Sequence, residues 1–131
     1  MKRVIIAFWT IGLVFIDQAI KWWIIQFYPS SVYMNNGIIF GFINNQIICI
    51  TLLVLGILAL IWISLEKKKE PWQEFALTLV FAGALSNIID RIYHSAVVDY
   101  ITIKGVNTFN LADIYIILGV IIYSFQIFRK K

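Results

Sequence analysis

The sequence predicts an all-α membrane protein, a four-transmembrane-helix bundle with a small extracellular sheet, and three observations carry that expectation. Of its 131 residues 61% are hydrophobic and the mean hydropathy is +0.86, too apolar for a chain that must show a polar surface to water. The apolar residues fall into four segments, each near the roughly 20 residues of helix (about 17 to 25) that a bilayer core requires. Of the eleven basic residues all but Lys21 and Arg91 lie outside those segments, and these two sit toward the ends of theirs. The length suits one compact domain, residues 1–131, and no repeat, low-complexity tract or linker divides it.

The first span, Val4–Phe27, follows Lys2-Arg3 in the order of a signal peptide. No small-x-small site ends its apolar run Val4–Ile16. Asp17-Gln18-Ala19-Ile20-Lys21-Trp22-Trp23 follows instead, so the segment reads as a retained helix. In the loop from Tyr28 to Gln46, Val32-Tyr33-Met34 and Ile38-Ile39-Phe40 flank Asn35-Asn36-Gly37, and Asn-Gly between apolar runs predicts a tight hairpin. The second span, Ile47–Leu65, holds the single cysteine, Cys49, which reads as core filler and permits no internal disulfide. Glu66-Lys67-Lys68-Lys69-Glu70-Pro71 is a hydrophilic turn, with Pro71 suited to the first turn of the next helix, where a missing N–H costs nothing. Trp72–Ile92 and Asn110–Phe128 are the third and fourth spans, joined by a second outer loop, Tyr93 to Phe109.

Four spans put both termini on one side. Lys2, Arg3, Lys67, Lys68, Lys69, Arg129, Lys130 and Lys131 fall there, whereas Lys21, Arg91 and Lys104 fall opposite. The positive-inside rule then makes the termini and the Lys67 loop cytoplasmic. Asp17, Asp90, Asp99 and Asp113 all lie at the outer face, so chemistry is expected there. The +4 charge does not point to nucleic acid, because the bases are clustered beside spans and not interleaved with stacking aromatics. One histidine and one cysteine form no metal-ligand cluster, and no cofactor is expected.

Ionisable groups beside hydrocarbon are expensive and suggest function. Asp99 sits within Ala96-Val97-Val98-Asp99-Tyr100-Ile101 and Asp113 opens an apolar run. Brought together, two carboxyls cannot both ionise cheaply, and such a pair supplies an acid and a base. Each has a plainer reading. Asn110 and Asp113 fit a helix N-cap with an acid three residues on, and Asp99 could pair with Arg91 or Lys104. Asp17 and Lys21, four apart, share a helix face and could be a helix-end ion pair. Gly83, Asn87 and Arg91 recur every four residues with Asp90 beside them, a polar stripe that could equally be interhelical glue. Ser86 lacks a Gly-x-Ser-x-Gly context, His94 is isolated, and no His-Glu-x-x-His occurs, which leaves the carboxylates as the machinery.

Asp17-Gln18-Ala19-Ile20-Lys21, Asn35-Asn36-Gly37-Ile38-Ile39-Phe40-Gly41, Gly83-Ala84-Leu85-Ser86-Asn87-Ile88-Ile89-Asp90-Arg91, Val97-Val98-Asp99-Tyr100 and Phe109-Asn110-Leu111-Ala112-Asp113 together resemble the bacterial lipoprotein signal peptidases, the type II signal peptidases. The resemblance covers nearly the whole chain. It implies an aspartic endopeptidase that cuts diacylglyceryl-modified prolipoproteins just before the lipidated cysteine, with Asp99 and Asp113 as the catalytic pair. It further implies that Asn35, Gly37, Asn87, Arg91 and Asn110 line the substrate site and that Asp17 and Lys21 support it. Membrane lipids and cyclic lipopeptide inhibitors are implied partners, and a β-cradle and an extracellular helical loop are implied additions to the fold. Ile38-Ile39 stand where the family usually has two small residues, and Ser86 where it often has glycine, departures that bear on pocket shape.

Two rival readings come from other classes. A non-catalytic four-span binding or scaffold protein would use its outer aspartates only to pair with Arg91, Lys21 and Lys104. A transporter would place polar residues at mid-depth, which the second and fourth spans lack.

Overall fold

The structure is a computed structural model and describes residues 2–37, 56, 70–103 and 108–129. Helix α1 spans Lys2–Phe27, a 3-10 turn Pro29–Ser31, strand β1 Tyr33–Asn35, helix α2 Pro71–His94, strand β2 Val97–Asp99 and helix α3 Leu111–Arg129. The helix α1 stops where Pro29 follows, because the residue before a proline is pushed out of helical backbone; Tyr28 has φ −135° and ψ 51°. Helix α2 starts as its sequence suggests. Pro71 occupies the first turn, and the Gln73 side chain accepts the Glu70 N–H at 3.1 Å. It ends on Ser95, whose left-handed backbone (φ 57°) lets its N–H reach the Arg91 carbonyl oxygen at 3.1 Å.

Among the described helices, α2 packs against both α3 and α1, which barely touch each other. The approach of α3 is set by two glycines. A Cβ on Gly83 would overlap the Ala112 carbonyl oxygen and come within 2.7 Å of Ile116 Cγ1, and one on Gly119 would come within 2.5 Å of the Ala76 carbonyl oxygen. Close packing of this kind is what holds helices together where lipid supplies no hydrophobic contrast. Leu79, Ala82 and Tyr115 form the buried apolar cluster between them, with Leu13 and Val14 of α1 packed against it.

The distribution of polarity is inverted relative to a water-soluble bundle. Phe8, Trp9, Phe15, Trp22, Ile117 and Phe125 are exposed, whereas Asp17, Lys21, Ser86, Asn87, Asp90 and Arg91 are buried. Such a surface belongs in lipid. Ile6–Phe27 and Pro71–His94 are long and apolar enough to cross a bilayer, and α3 contains the shorter apolar stretch Leu111–Phe125. The expected second span, Ile47–Leu65, lies outside the described residues except for Gly56, which is helical, and so do the Lys67 loop, Ile38 and Ile39.

At one end of the bundle β1 and β2 form a two-stranded antiparallel sheet, pairing Tyr33 with Asp99, Met34 with Val98 and Asn35 with Val97. The small sheet expected from the loop residues is there, but the observed partner of β1 comes from the other loop; the anticipated hairpin partner Ile38–Phe40 lies outside the described residues. Asn35 instead closes a local turn, its Oδ1 accepting the Gly37 N–H at 3.0 Å. A further bridge, Ile101 with Phe109, turns the chain from β2 into α3. Of the expected helical loop, the described residues contain the single 3-10 turn Pro29–Ser31.

Gly83→Ala should force α2 and α3 apart and lower stability by about 1–3 kcal/mol, the usual cost of overpacking. Gly12→Ala, with nothing within 4 Å of its added carbon, should leave stability unchanged or raise it. Thermal unfolding of both variants in detergent checks the contrast, and equal behaviour would mean the glycine does not set the spacing.

Candidate active site

The site is assembled from the sheet-bearing ends of three helices, starting from one cation. Lys21, six residues before the end of α1, is 2% exposed, and its ammonium lies 2.8 Å from Asp17 Oδ2 and 2.7 Å from Asp90 Oδ2. Its remaining donor goes to Asn87 Oδ1 at 3.2 Å. A buried ammonium is tolerable only when its donors are met and its charge is countered, and here α1 and α2 do both. Asp90 also accepts the Val98 N–H at 3.1 Å and so ties β2 to α2.

Asp17 reaches the third helix. Its Oδ1 accepts the Ala112 N–H at 3.0 Å, while Ser86 Oγ donates to its Oδ2 at 2.6 Å. The start of α3 is met at every donor. Asn110 Oδ1 accepts the Asp113 N–H at 3.0 Å, Asp113 Oδ2 accepts the Asn110 N–H at 3.2 Å, and the Tyr100 hydroxyl accepts the Leu111 N–H at 3.3 Å. Burial pushes the Tyr100 hydroxyl up to about 12, so it stays protonated. The plainer reading of Asn110 and Asp113 as a cap is therefore true, and it coexists with a second use of both side chains.

That second use is a chain of amides joining the two carboxyls. Asn110 Nδ2 donates to Asp99 Oδ1 at 2.7 Å and to Asn87 Oδ1 at 3.2 Å, and Asn87 Nδ2 donates to Asp113 Oδ1 at 2.9 Å. Lys21 sets the sense of the chain. An ammonium can only donate, so the Asn87 oxygen must face it and the Asn87 nitrogen must face Asp113. From the sheet, Asn35 Nδ2 donates to Asp99 Oδ2 at 2.9 Å. Among the described residues Asp99 is thus met by two amide donors, Asn35 and Asn110; Lys104, one of the loop partners considered for it, lies outside the described residues. Arg91 turns its Nη2 to the Gly37 carbonyl oxygen at 3.0 Å, pinning the turn after β1 against α2.

Asp99 is 1% exposed, whereas Asp113 is only half-buried. Burial raises the Asp99 carboxyl from 3.8 to about 6, the hydrogen bond from Asn35 lowers it, and the nearby charge of Asp113 raises it further. An acid that keeps its proton well above the ordinary carboxylate range thus stands beside a second, more accessible carboxyl.

All nine residues singled out from the sequence, Asp17, Lys21, Asn35, Gly37, Asn87, Arg91, Asp99, Asn110 and Asp113, lie in this one constellation. Sequence reasoning gave no site role to Gln18, Ser86 or Tyr100, and named Asp90 only as part of the polar stripe of the third span and as one of the outer-face acids. Gln18 Nε2 donates to Asp90 Oδ1 at 2.7 Å and to Ser86 Oγ at 2.9 Å. The available signal was spacing, since Ser86 and Asp90 are one helical turn apart. For Tyr100 there was none, because its use depends on where the loop returns.

A family model described as signal peptidase (SPase) II matches residues 9–129. The lipoprotein signal peptidase of Streptococcus agalactiae serotype V is 32% identical, with 100% of this chain and 96% of that protein covered. That of Bartonella quintana is 37% identical over 92% of this chain and 86% of its own. A solved bacterial membrane enzyme, determined by the in meso method at 2.3 Å, shares the fold with a TM-score of 0.82 at 24% identity, covering 95% of this chain and 87% of that one. Because the family match runs from Trp9 to Arg129, it takes in every residue of the hydrogen-bonded constellation, and the chain belongs to the signal peptidase II family.

Proposed function

We propose that this chain is a membrane aspartic endopeptidase that removes the signal peptide from diacylglyceryl-modified prolipoproteins, cutting just before the lipidated cysteine. The observation that carries this reading is the amide chain from Asp99 through Asn110 and Asn87 to Asp113, which holds two carboxyls in different environments at one place. Family membership supports the peptidase activity and the prolipoprotein substrate.

Asp99, buried and disposed to keep its proton, polarises the scissile carbonyl. Asp113, more open, takes a proton from the attacking water, which adds to the carbonyl carbon. Collapse of the tetrahedral intermediate breaks the C–N bond, and the proton returns to the leaving amine. The free amine belongs to the cysteine that becomes the mature N-terminus. Asn35, Gly37 and Arg91 fix the extended precursor beside the sheet, and the apolar exterior beside the site accommodates the acyl chains. Lipid therefore surrounds the bundle, and a cyclic lipopeptide that presents an acyl tail and an extended backbone would compete for the same place.

In this reading four spans cross the bacterial cell membrane, both termini are cytoplasmic, and the sheet and dyad lie at the outer face. A cysteine introduced at Lys68 should resist an impermeant thiol reagent applied from outside to intact cells; rapid labelling there would reverse the orientation.

Asp99→Asn and Asp113→Asn should each lose nearly all cleavage of a lipidated precursor, and the double variant scarcely more, because members of one catalytic unit are not additive. Arg91→Ala should lower cleavage more than it lowers the folded fraction. If Asp113 served only as a cap, Asp113→Asn would cost about 1 kcal/mol or less, since asparagine also caps well, and would still cleave. Substantial turnover by either folded asparagine variant would end the aspartic mechanism.

The dyad works with one proton. Because burial raises Asp99 to about 6, the protonated form is complete at acid pH and is lost as pH rises through that value, so kcat/KM should fall on its alkaline side from about pH 6. For stability the sign is the same: tolerance of the buried carboxyl is full below 3.8 and is lost as pH rises through about 6. A pH–rate profile flat from about pH 5 to 8 would contradict the shared proton.

A further inference from the structure

Ser86 is fully buried on α2, and its hydroxyl does not turn back to its own helix, the common fate of serine in a membrane span. It donates across to Asp17 Oδ2 at 2.6 Å, a charge-assisted bond at the short end of the range, and it accepts from Gln18 Nε2 at 2.9 Å. The amide nitrogen of Gln18 can only donate, so the hydroxyl proton is committed to Asp17. Asp17 in turn spends its other oxygen on the Ala112 N–H at 3.0 Å. The next residue is Asp113. We infer that Ser86 is a positioning residue for catalysis: its hydroxyl locks the Asp17 carboxylate in the orientation that seats the first turn of α3, and so fixes where Asp113 stands relative to Asp99.

This inference rests on Asp99 and Asp113 being the catalytic pair. Without the hydroxyl, Asp17 Oδ2 keeps only the Lys21 ammonium and is free to rotate about it, loosening the bond from Oδ1 to Ala112. Lys21 would still neutralise the charge, so the bundle survives. What suffers is the register of the Asp113 carboxyl, and displacements of about 1 Å at reacting groups can cost up to roughly 100-fold in rate. Among the described residues the buried Ser86 side chain is hydrogen-bonded to Asp17 and Gln18 of α1, so a role exerted through Asp17 should leave substrate affinity unchanged.

The test is steady-state cleavage of a lipidated precursor peptide by the full chain in detergent, for Ser86→Ala, Ser86→Gly and Ser86→Thr, alone and combined with Asp17→Asn. The expected result is a fall in kcat of about tenfold in the alanine and glycine variants with KM within about twofold of the original. Ser86→Thr, which restores a hydroxyl, should recover most of that loss. In the Asp17→Asn background, Ser86→Ala should change kcat by less than about twofold, because the serine acts through that carboxylate. An unchanged kcat, a change confined to KM, or full additivity with Asp17→Asn would overturn the assignment. So would loss of the folded state in both the alanine and the glycine variants, which would make the hydroxyl a stability element. Asp113→Asn is assayed alongside: if it still cleaves, the catalytic reading itself has failed, whereas an inactive Asp113→Asn beside an unaffected Ser86→Ala removes only the role of the serine.

Discussion

The structure depends on one buried cation. Lys21 sits between Asp17 of its own helix and Asp90 of α2, 2.8 and 2.7 Å away, where water is excluded and lipid offers no substitute. Bringing three charges into such a place costs several kcal/mol per ion in desolvation, which only close pairing and full hydrogen bonding can offset. The corollary is specificity. Any packing of the helices that separated these groups would leave an uncompensated charge in an apolar interior, so the bundle has one acceptable register at this end. Asp17 and Asp90 accept further hydrogen bonds from Ser86, Ala112, Gln18 and Val98, and Lys21 donates to Asn87.

Two branches leave that triad. Through Asp17 it reaches the backbone of α3 at Ala112, and with Tyr100, Asn110 and Asp113 it meets the N–H groups that a helix start would otherwise leave unpaired. Through Asn87 it orients an amide toward Asp113 and receives another from Asn110. Both branches converge on the first turn of α3. The Asp113 carboxyl there is held at its side chain and at its backbone by groups that cannot easily rearrange. The sheet completes the enclosure, since β2 carries Asp99 and β1 carries the Asn35 amide that faces it.

The same economy explains the small residues of α2. Gly83 lies one turn before Asn87, and its missing side chain lets the Ala112 backbone come against α2. With a side chain there, the asparagine of one helix would not reach the aspartate of the other. Packing and the polar network thus share one contact surface, where glycine controls the distance and the polar residues a turn further on use it.

Composition and periodicity by themselves determined the membrane class, because a chain this apolar has no other solvent, and the helix boundaries at Pro71 and before Pro29 followed from backbone chemistry that is local. The candidate residues were legible for a related reason: a carboxylate, ammonium or guanidinium beside apolar runs needs a partner, so each advertises a site even when the partner is unnamed. The pairings were not legible. Spacing joined Asp17 to Lys21 but could not show that Asp90 shares the same ammonium, that Ser86 closes on Asp17, or that β1 pairs with β2 and not with the residues just after it. Nor could it show that Asp113 accepts the Asn110 N–H at the start of α3 and the Asn87 side-chain amide at once. These depend on how α1, α2 and α3 cross, and crossing is settled by the backbone approach at Gly83 and Gly119 and by the demand of buried charges for neutral company. Such terms belong to pairs of distant residues, and only the tertiary structure brings them within reach.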